Sequence, residues 1–338
     1  MRHFKALFTI LSVFLMLVLA GCSTNPATGQ QQFTALMSPQ QEVQVGASEH
    51  QKIEQQFGFY KDDKVNAYVT SVGQKVTAKT ERPDVRYKFF VLDSPIVNAF
   101  ALPGGYIYVS RGLLALANSE AELAAVLAHE TGHITGRHSA ERYSRGVVTT
   151  LGAGVLSAVF SSEGASQALG IGANLYLSSY SRGQESEADS LGLRYMTHGG
   201  YDGNAMAKFL SALKAQSDLD SRLAGNGNAN GFSYFSTHPA TADRVAQTRV
   251  QAQGYPSGGK INRDAHLNAI NGMIYGDSAA QGFVRGQSFY HPQMGFTFSA
   301  PAGFNLKNSP SQITASASNG AVLIFDMAAN KHGLDPRS

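Results

Sequence analysis

One cysteine in 338 residues excludes an intramolecular disulfide, a Cys-x-x-Cys redox pair and any zinc site built from several thiolates. Its position, Cys22, therefore needs an explanation of its own. Blocks of five or six like charges are also lacking. With 27 basic and 24 acidic residues the formal net charge is +3, and no basic stripe of the kind that tracks a phosphate backbone is present. Nucleic acid is not expected as a partner. Charge is scarce altogether, 15% of residues against 43% hydrophobic, which excludes a disordered chain. Glycine (35) and proline (11) fall short of a collagen-like or low-complexity composition. What remains is a globular chain, long enough for one large or two ordinary domains.

Long hydrophobic runs are scarce too. The N-terminal one, Ala6 to Ala20, is interrupted only by Thr9 and Ser12 and is too short for a comfortable membrane span. It follows Arg2, His3 and Lys5, as the apolar part of a signal peptide does, and it ends in Leu19-Ala20-Gly21-Cys22. That ending resembles the lipobox of bacterial lipoproteins, in which the cysteine becomes the lipid-bearing first residue. An ordinary secretory signal and a single transmembrane anchor are the rivals, and both leave the placement of the lone cysteine unexplained. By the same resemblance, Ser23 after the cysteine points to the outer membrane, facing the periplasm. Residues 1–21 are read as a signal peptide, and 22–38, polar with Pro26 and Gly29, as a tether.

Further along, spaced apolar residues predict amphipathic helices over Pro39 to about Gln56 and over Lys61 to Thr80, the second with Val65, Tyr68, Val69, Val72 and Val76 on one face. Tyr87 to Leu92 and Gly105 to Ser110 are short β-rich runs bounded by Asp93-Ser94-Pro95 and Pro103-Gly104-Gly105, hence strands and turns. Ser119 to His138 is the clearest helix. Ser119 can cap it, Glu122 completes a capping box, and Leu123, Val126, Leu127, Glu130 and Ile134 keep the 3.6-residue period. Other helices are expected from about Ser181 to His198 and from near Asn204. Val147 to Leu177, rich in Gly, Ala and Ser, has three readings: a tightly packed helical hairpin, a mobile lid, or a segment that touches the membrane. Gly254 to Lys260 looks like a linker. Beyond Gln287, recurring phenylalanines and Val322-Leu323-Ile324-Phe325 suggest a small β-rich unit that is incomplete at its C-terminal end. The expected fold is α+β: a mainly helical unit with a small β-sheet over 39–254, then a linker and β-rich extension over 255–338.

His129-Glu130-Thr131-Gly132-His133 matches H-E-x-x-H. The four-residue spacing places both imidazoles on one helix face, about one turn apart, where they can bind one Zn²⁺ with Glu130 beside them as base for a bound water. Two histidines falling four apart by chance is the alternative, and it is rare in a chain of this length. A catalytic zinc needs a third protein ligand and an open position. The metzincin continuation fails, because Gly136 is in place but the next required histidine is Ser139. His138, one residue early, is better read as a cation near a helix C-terminus. The remaining source is a carboxylate from a second helix, and Glu185-Ser186-Glu187-Ala188-Asp189 offers one. Glu185 and Asp189 share a face and Glu187 points elsewhere. On spacing alone, a solvated acidic face is the better account of this cluster.

H-E-x-x-H with a later E-x-x-A-D resembles the M48 zinc metallopeptidases, here as HETGH at 129–133 and ESEAD at 185–189. Two further stretches resemble that family in the same order: Asn98-Ala99-Phe100-Ala101-Leu102-Pro103-Gly104-Gly105, and Ser236-Thr237-His238-Pro239 with Thr241 and Arg244. The lipobox at Cys22 and Asn25-Pro26-Ala27-Thr28-Gly29 resemble its periplasmic lipoprotein members. The resemblance spans residues 23 to about 250 and implies a zincin (gluzincin-like) peptidase domain. It implies one Zn²⁺ per chain held by His129, His133 and Glu185, with Glu130 as catalytic acid/base and Asp189 as proton donor or orienting partner.

The resemblance also implies that Asn98, Ala99 and Phe100 form an edge strand with which an extended substrate pairs through main-chain hydrogen bonds. An internal strand with a turn is the plainer reading of the same residues. His238 has three readings: a ligand that holds the enzyme latent, a stabiliser of the transition-state oxyanion, or a structural loop histidine before Pro239. Arg244 is read either as a partner of Glu185, Asp189 or substrate carbonyls, or as a surface arginine. The expected function is zinc-dependent endopeptidase action on unfolded or misassembled envelope proteins. The expected partners are extended polypeptides, the membrane through lipid on Cys22, and the outer-membrane assembly machinery. The rival class is a non-proteolytic chaperone or assembly scaffold on the same fold.

Overall fold

A computed structural model of the chain describes residues 22–160, 179–223, 234–239, 242–309 and 312–326. Helix α1 (Pro39–Phe57) starts at a capping box in which Ser38 and Gln41 satisfy each other's backbone N–H groups, and α2 (Asp63–Thr77) starts at Asp62. Three strands follow: β3 (Lys88–Leu92), β4 (Ala99–Leu102) and β5 (Tyr106–Ser110). β5 lies in the middle, parallel to β3 and antiparallel to β4. A short helix α3 (Arg111–Leu116) leads to α4 (Glu120–Thr135), the motif helix.

Every residue of α4 is buried. Its alanine-rich, nearly all-round apolar sequence suits a helix surrounded by α2, the sheet, and the later helices α6 (Arg182–His198) and α7 (Asn204–Leu223). Burial of Leu123, Val126 and Leu127 contributes about 1.5–3 kcal/mol each. Two glycines set how close α4 and α6 come. A Cβ on Gly132 would meet the Ala188 carbonyl at 3.0 Å, and one on Gly192 would meet the backbone N of His129 at 3.0 Å. That approach brings Glu185 to the histidine pair.

The motif helix differs from expectation at both ends. Ser119 caps it as read, but Glu122 accepts from the backbone N of Asn118, one residue beyond the expected partner. At the other end α4 stops at Thr135, Gly136 caps it, and Arg137 turns the chain with φ +54°. His138 therefore opens a new helix, α5 (His138–Phe160), and is not the C-terminal cation of the first. Most of 147–177, read from sequence as hairpin, lid or membrane contact, lies outside the described residues.

The segment read as a tether is folded onto the domain. Strands β1 (Cys22–Thr24) and β2 (Gln31–Phe33) form an antiparallel hairpin. Arg194 donates to the Ala27 carbonyl, while Arg137 donates to the Met37 carbonyl and to Thr34 Oγ1. Polar composition misled here because the polar groups of this segment are answered by polar groups of the domain, Asn25 being only 3% exposed. Nor is 255–260 a free linker. Lys260 bridges to Tyr201, the carbonyls of Ile261 and Asn262 accept from the first backbone N–H groups of α4, and α10 (Arg263–Ile270) packs on α2 and α4. Between them, α8 (Tyr234–Thr237) and α9 (Ala242–Ala252) complete the helical part.

The C-terminal unit is β-rich as expected, with two antiparallel three-stranded sheets: β6 (Phe283–Arg285), β7 (Ser288–His291) and β8 (Phe296–Ser299), then β9 (Phe304–Asn308), β10 (Gln312–Ala317) and β11 (Val322–Asp326). Phe296 and Phe298 meet Phe325 between the sheets. No helix among the described residues is long and apolar enough to cross a membrane.

Candidate metal centre

His129 and His133 project from one face of α4, Glu185 comes from the first turn of α6, and His238 follows α8. Their potential ligand atoms all lie within 4.8 Å of one another, and all four side chains are buried. His133 Nε2 is 3.1 Å from His129 Nε2 and 3.4 Å from Glu185 Oε1. His238 Nδ1 is 3.0 Å from Glu185 Oε1 and 3.4 Å from His129 Nε2. Ligand atoms at about 2.0–2.1 Å around a tetrahedral zinc sit roughly 3.3 Å apart, so these spacings fit a metal of that size. The donor set, imidazole nitrogens and a carboxylate oxygen, fits zinc as well.

Glu130 is fully buried against this cluster. Neither carboxylate oxygen has a hydrogen-bond partner among the described residues, and His238 Nε2 lies 3.5 Å from Oε1. Burial raises its pKa above the usual carboxylate range, against the charges of His238 and His129. Such a group is better able to hold a proton than an exposed glutamate.

Asp189 stands one turn beyond Glu185. Its Oδ1 is 2.9 Å from His129 Nδ1, which turns Nε2 of that ring toward the cluster. Arg244 grips the same carboxylate with Nε and Nη2, both at 2.8 Å, and places Nη1 at 2.5 Å from Glu185 Oε2. Burial would raise the Asp189 pKa, but Arg244 and His129 together hold it below the ordinary value. Burial likewise opposes ionisation of Glu185, and the neighbouring histidines outweigh it and hold its pKa well down. His133 is pushed well down by burial, which keeps its ring neutral. For His129, burial lowers the pKa and Asp189 more than offsets it, so the net direction is upward. Arg244 is 5% exposed, which overturns its reading as a surface arginine.

The strand residues are placed less simply. β4 is at the edge of its sheet, as the family resemblance implied, but Asn98 precedes it and has both backbone groups committed. Its N–H donates to Ser110 Oγ and its carbonyl accepts from the backbone N of Ser110. Antiparallel alternation then turns Phe100 inward to Tyr108 and leaves Val97, Ala99 and Ala101 facing the outer edge. The Val97 carbonyl already accepts from the backbone N of Tyr234, and Ala99 to Leu102 are all buried. Of Asn98, Ala99 and Phe100, only Ala99 has its main chain directed outward.

Several neighbours escaped the sequence reading. Tyr180 stacks on His133 at 3.6 Å between ring centroids, with Arg142 over its other side at 3.7 Å, and Tyr234 stacks on His238 at 4.5 Å. Aromatic stacking has no spacing signature that would have revealed them. His138, 2.8 Å from His133 Nδ1, did carry a signal, since it lies five residues past a motif histidine.

A helix bearing His-Glu-x-x-His, a glutamate from a second helix, and an aspartate behind the first histidine are brought together in a buried cluster that could hold a metal ion, as a metallopeptidase requires. The chain belongs to peptidase family M48, whose profile matches residues 63–251. It is similar to the beta-barrel assembly-enhancing protease of Escherichia coli strain K12, 28% identical over 221 residues, which are 63% of this chain and 44% of that protein. It is also similar to the mitochondrial metalloendopeptidase OMA1 of Schizosaccharomyces pombe, 36% identical over 180 residues, which are 53% of this chain and 50% of that protein. The OMA1 protein of Arabidopsis thaliana is 33% identical over 173 residues. The chain spans half or less of the length of these curated relatives.

Proposed function

We propose that this protein is a zinc-dependent endopeptidase, held at the outer membrane by lipid on Cys22 and facing the periplasm, that cleaves unfolded or misassembled envelope proteins. The observation that carries the reading is the convergence of His129, His133 and Glu185 with the Glu130 carboxylate beside them. One zinc ion held by His129, His133 and Glu185 would supply Lewis-acid polarisation of the scissile carbonyl and a water acidic enough to lose a proton near neutrality. Glu130 takes that proton on its carboxylate and delivers it to the departing amine, a role suited to its burial and raised pKa. Asp189 orients His129 and, with both oxygens engaged by Arg244 and His129, acts as a positioning group and not as the proton donor.

His238 occupies the fourth side of the ligand cluster, where water would have to bind. This supports the latent reading. The segment that carries His238 also pairs with the Val97 carbonyl through Tyr234, so its displacement would free both the ligand position and the outer edge of β4. A substrate strand would then pair at Ala99 and Ala101, which favours extended segments over a particular side chain. The names of the relatives, one a beta-barrel assembly-enhancing protease, support an envelope substrate and contact with the assembly machinery. The test is casein degradation by wild type and Glu130→Gln, with zinc content measured on both. The expected outcome is a 10²–10⁴-fold slower variant that still holds zinc. Undiminished proteolysis in Glu130→Gln would refute the assignment.

A further inference from the structure

The two motif histidines are oriented by different means. His129 turns its Nδ1 directly onto a carboxylate, Asp189. His133 turns its Nδ1 onto another histidine, His138, at 2.8 Å. His138 is 1% exposed; its Nε2 makes no hydrogen bond among the described residues and lies 3.4 Å from Glu187 Oε1, the carboxylate it faces. The same Glu187 oxygen accepts from Asn25 Nδ2 at 2.5 Å. Asn25 belongs to the turn of the N-terminal hairpin, far from the metal centre in sequence.

The polarity of this chain of contacts is determined at both ends. For His133 to offer the Nε2 lone pair to a metal, its proton must sit on Nδ1 and be donated to His138 Nδ1. His138 then carries its own proton on Nε2, facing the Glu187 carboxylate. At the far end, Asn25 Oδ1 accepts from the backbone N–H groups of Ala27 and Thr28, at 2.9 and 3.3 Å. That fixes the amide so that Nδ2 points to Glu187. Gly136 leaves the space for this arrangement: a Cβ there would lie 2.6 Å from His138 Nε2 and 3.1 Å from Glu187 Oε1.

We propose that the N-terminal hairpin is a positioning element of the metal centre, with Asn25, through Glu187 and His138, fixing the tautomer and ring orientation of His133. None of these three residues belongs to the cluster that would hold the metal. The inference rests on the metal-centre reading of His129, His133 and Glu185. It assigns a function to a segment that lies outside the residues matched by the family profile.

The test is a competitive chelator titration of zinc on the full chain, together with the visible spectrum of the Co²⁺-substituted protein and the melting temperature of the metal-free protein. His138→Leu should weaken zinc binding about 10–100-fold and shift the Co²⁺ bands. His138→Gln, whose side chain can accept from His133 and donate to Glu187, should recover most of that loss. Asn25→Asp keeps the turn acceptor but replaces the donating amide with a second carboxylate, and should weaken zinc binding in the same direction by a smaller factor. Wild-type affinity and an unchanged Co²⁺ spectrum in both His138→Leu and Asn25→Asp would overturn the proposal. So would equal losses in His138→Leu and His138→Gln that merely follow a fall in metal-free melting temperature. A wild type that binds no metal would overturn the reading beneath it, and the proposal with it.

Discussion

The two flanks of the family-matched region invert what their composition suggests. The N-terminal flank is polar, yet Asn25, Thr34 and Met37 are buried and its carbonyls are gripped by Arg137 and Arg194. The last described strand of the C-terminal unit, β11, is apolar, yet its Val322 and Ile324 are 59% and 63% exposed. Burial follows from the partners a segment finds. Polar groups can be buried when each is matched by another, and apolar ones stay exposed when no surface faces them. The flank that looked like a spacer is joined to the centre by Asn25 and Glu187, whereas the strands of the β-rich unit pair among themselves.

The strongest way to break this contrast is Arg137→Ala. It would strip the hairpin of two anchors and leave Glu42, now bonded to Arg137 at 3.1 Å, buried with only Arg82 opposite at 3.5 Å. A loss of about 3–5 kcal/mol is expected in thermal or urea denaturation. Between the flanks, His238→Ala should raise basal casein cleavage by removing the side chain from the ligand cluster. An unchanged or lower rate would count against latency. A chain ending after Gly282 should retain wild-type zinc content, and zinc loss in that truncation would show that the C-terminal unit does support the centre. Ile324→Ser should change stability by no more than about 0.5 kcal/mol, as expected of an exposed position.

A smaller effect belongs to α10. His266 is fully buried, its Nε2 facing the Leu114 carbonyl at 3.1 Å and its Nδ1 facing Tyr68 Oη at 2.9 Å, and burial lowers its pKa. The unfolded chain therefore binds a proton that the folded one refuses. The stability this group contributes is complete above its unfolded pKa of about 6.5 and is lost as pH falls through the lower, folded value. His266→Gln should flatten that part of the stability–pH curve, and an identical slope in the variant would show that the group does not titrate on unfolding.

These outcomes also mark what was legible in the sequence. The helix start at Ser119 was readable because a cap is a local device whose partners lie within a turn. The motif histidines were readable because spacing on a helix dictates a shared face, whereas Glu185 was singled out by the family resemblance and not by its spacing. The stop at Gly136 was not, since HETGHITGRH keeps its period through a break made by one residue at positive φ. Nor was the docking of Asn25 on Glu187, where the partners are 162 residues apart and neither has a local reason to meet the other. Glu187 was rightly read as pointing away from Glu185, but what it points to lay beyond the reach of sequence periodicity.

The central claim is that His129, His133 and Glu185 hold one zinc. Its most direct test is elemental analysis of metal per chain in wild type and Glu185→Gln after removal of loosely bound ions. The account predicts one zinc per wild-type chain and a large loss in the variant. A wild type without zinc, or a Glu185→Gln protein that keeps it in full, would contradict it.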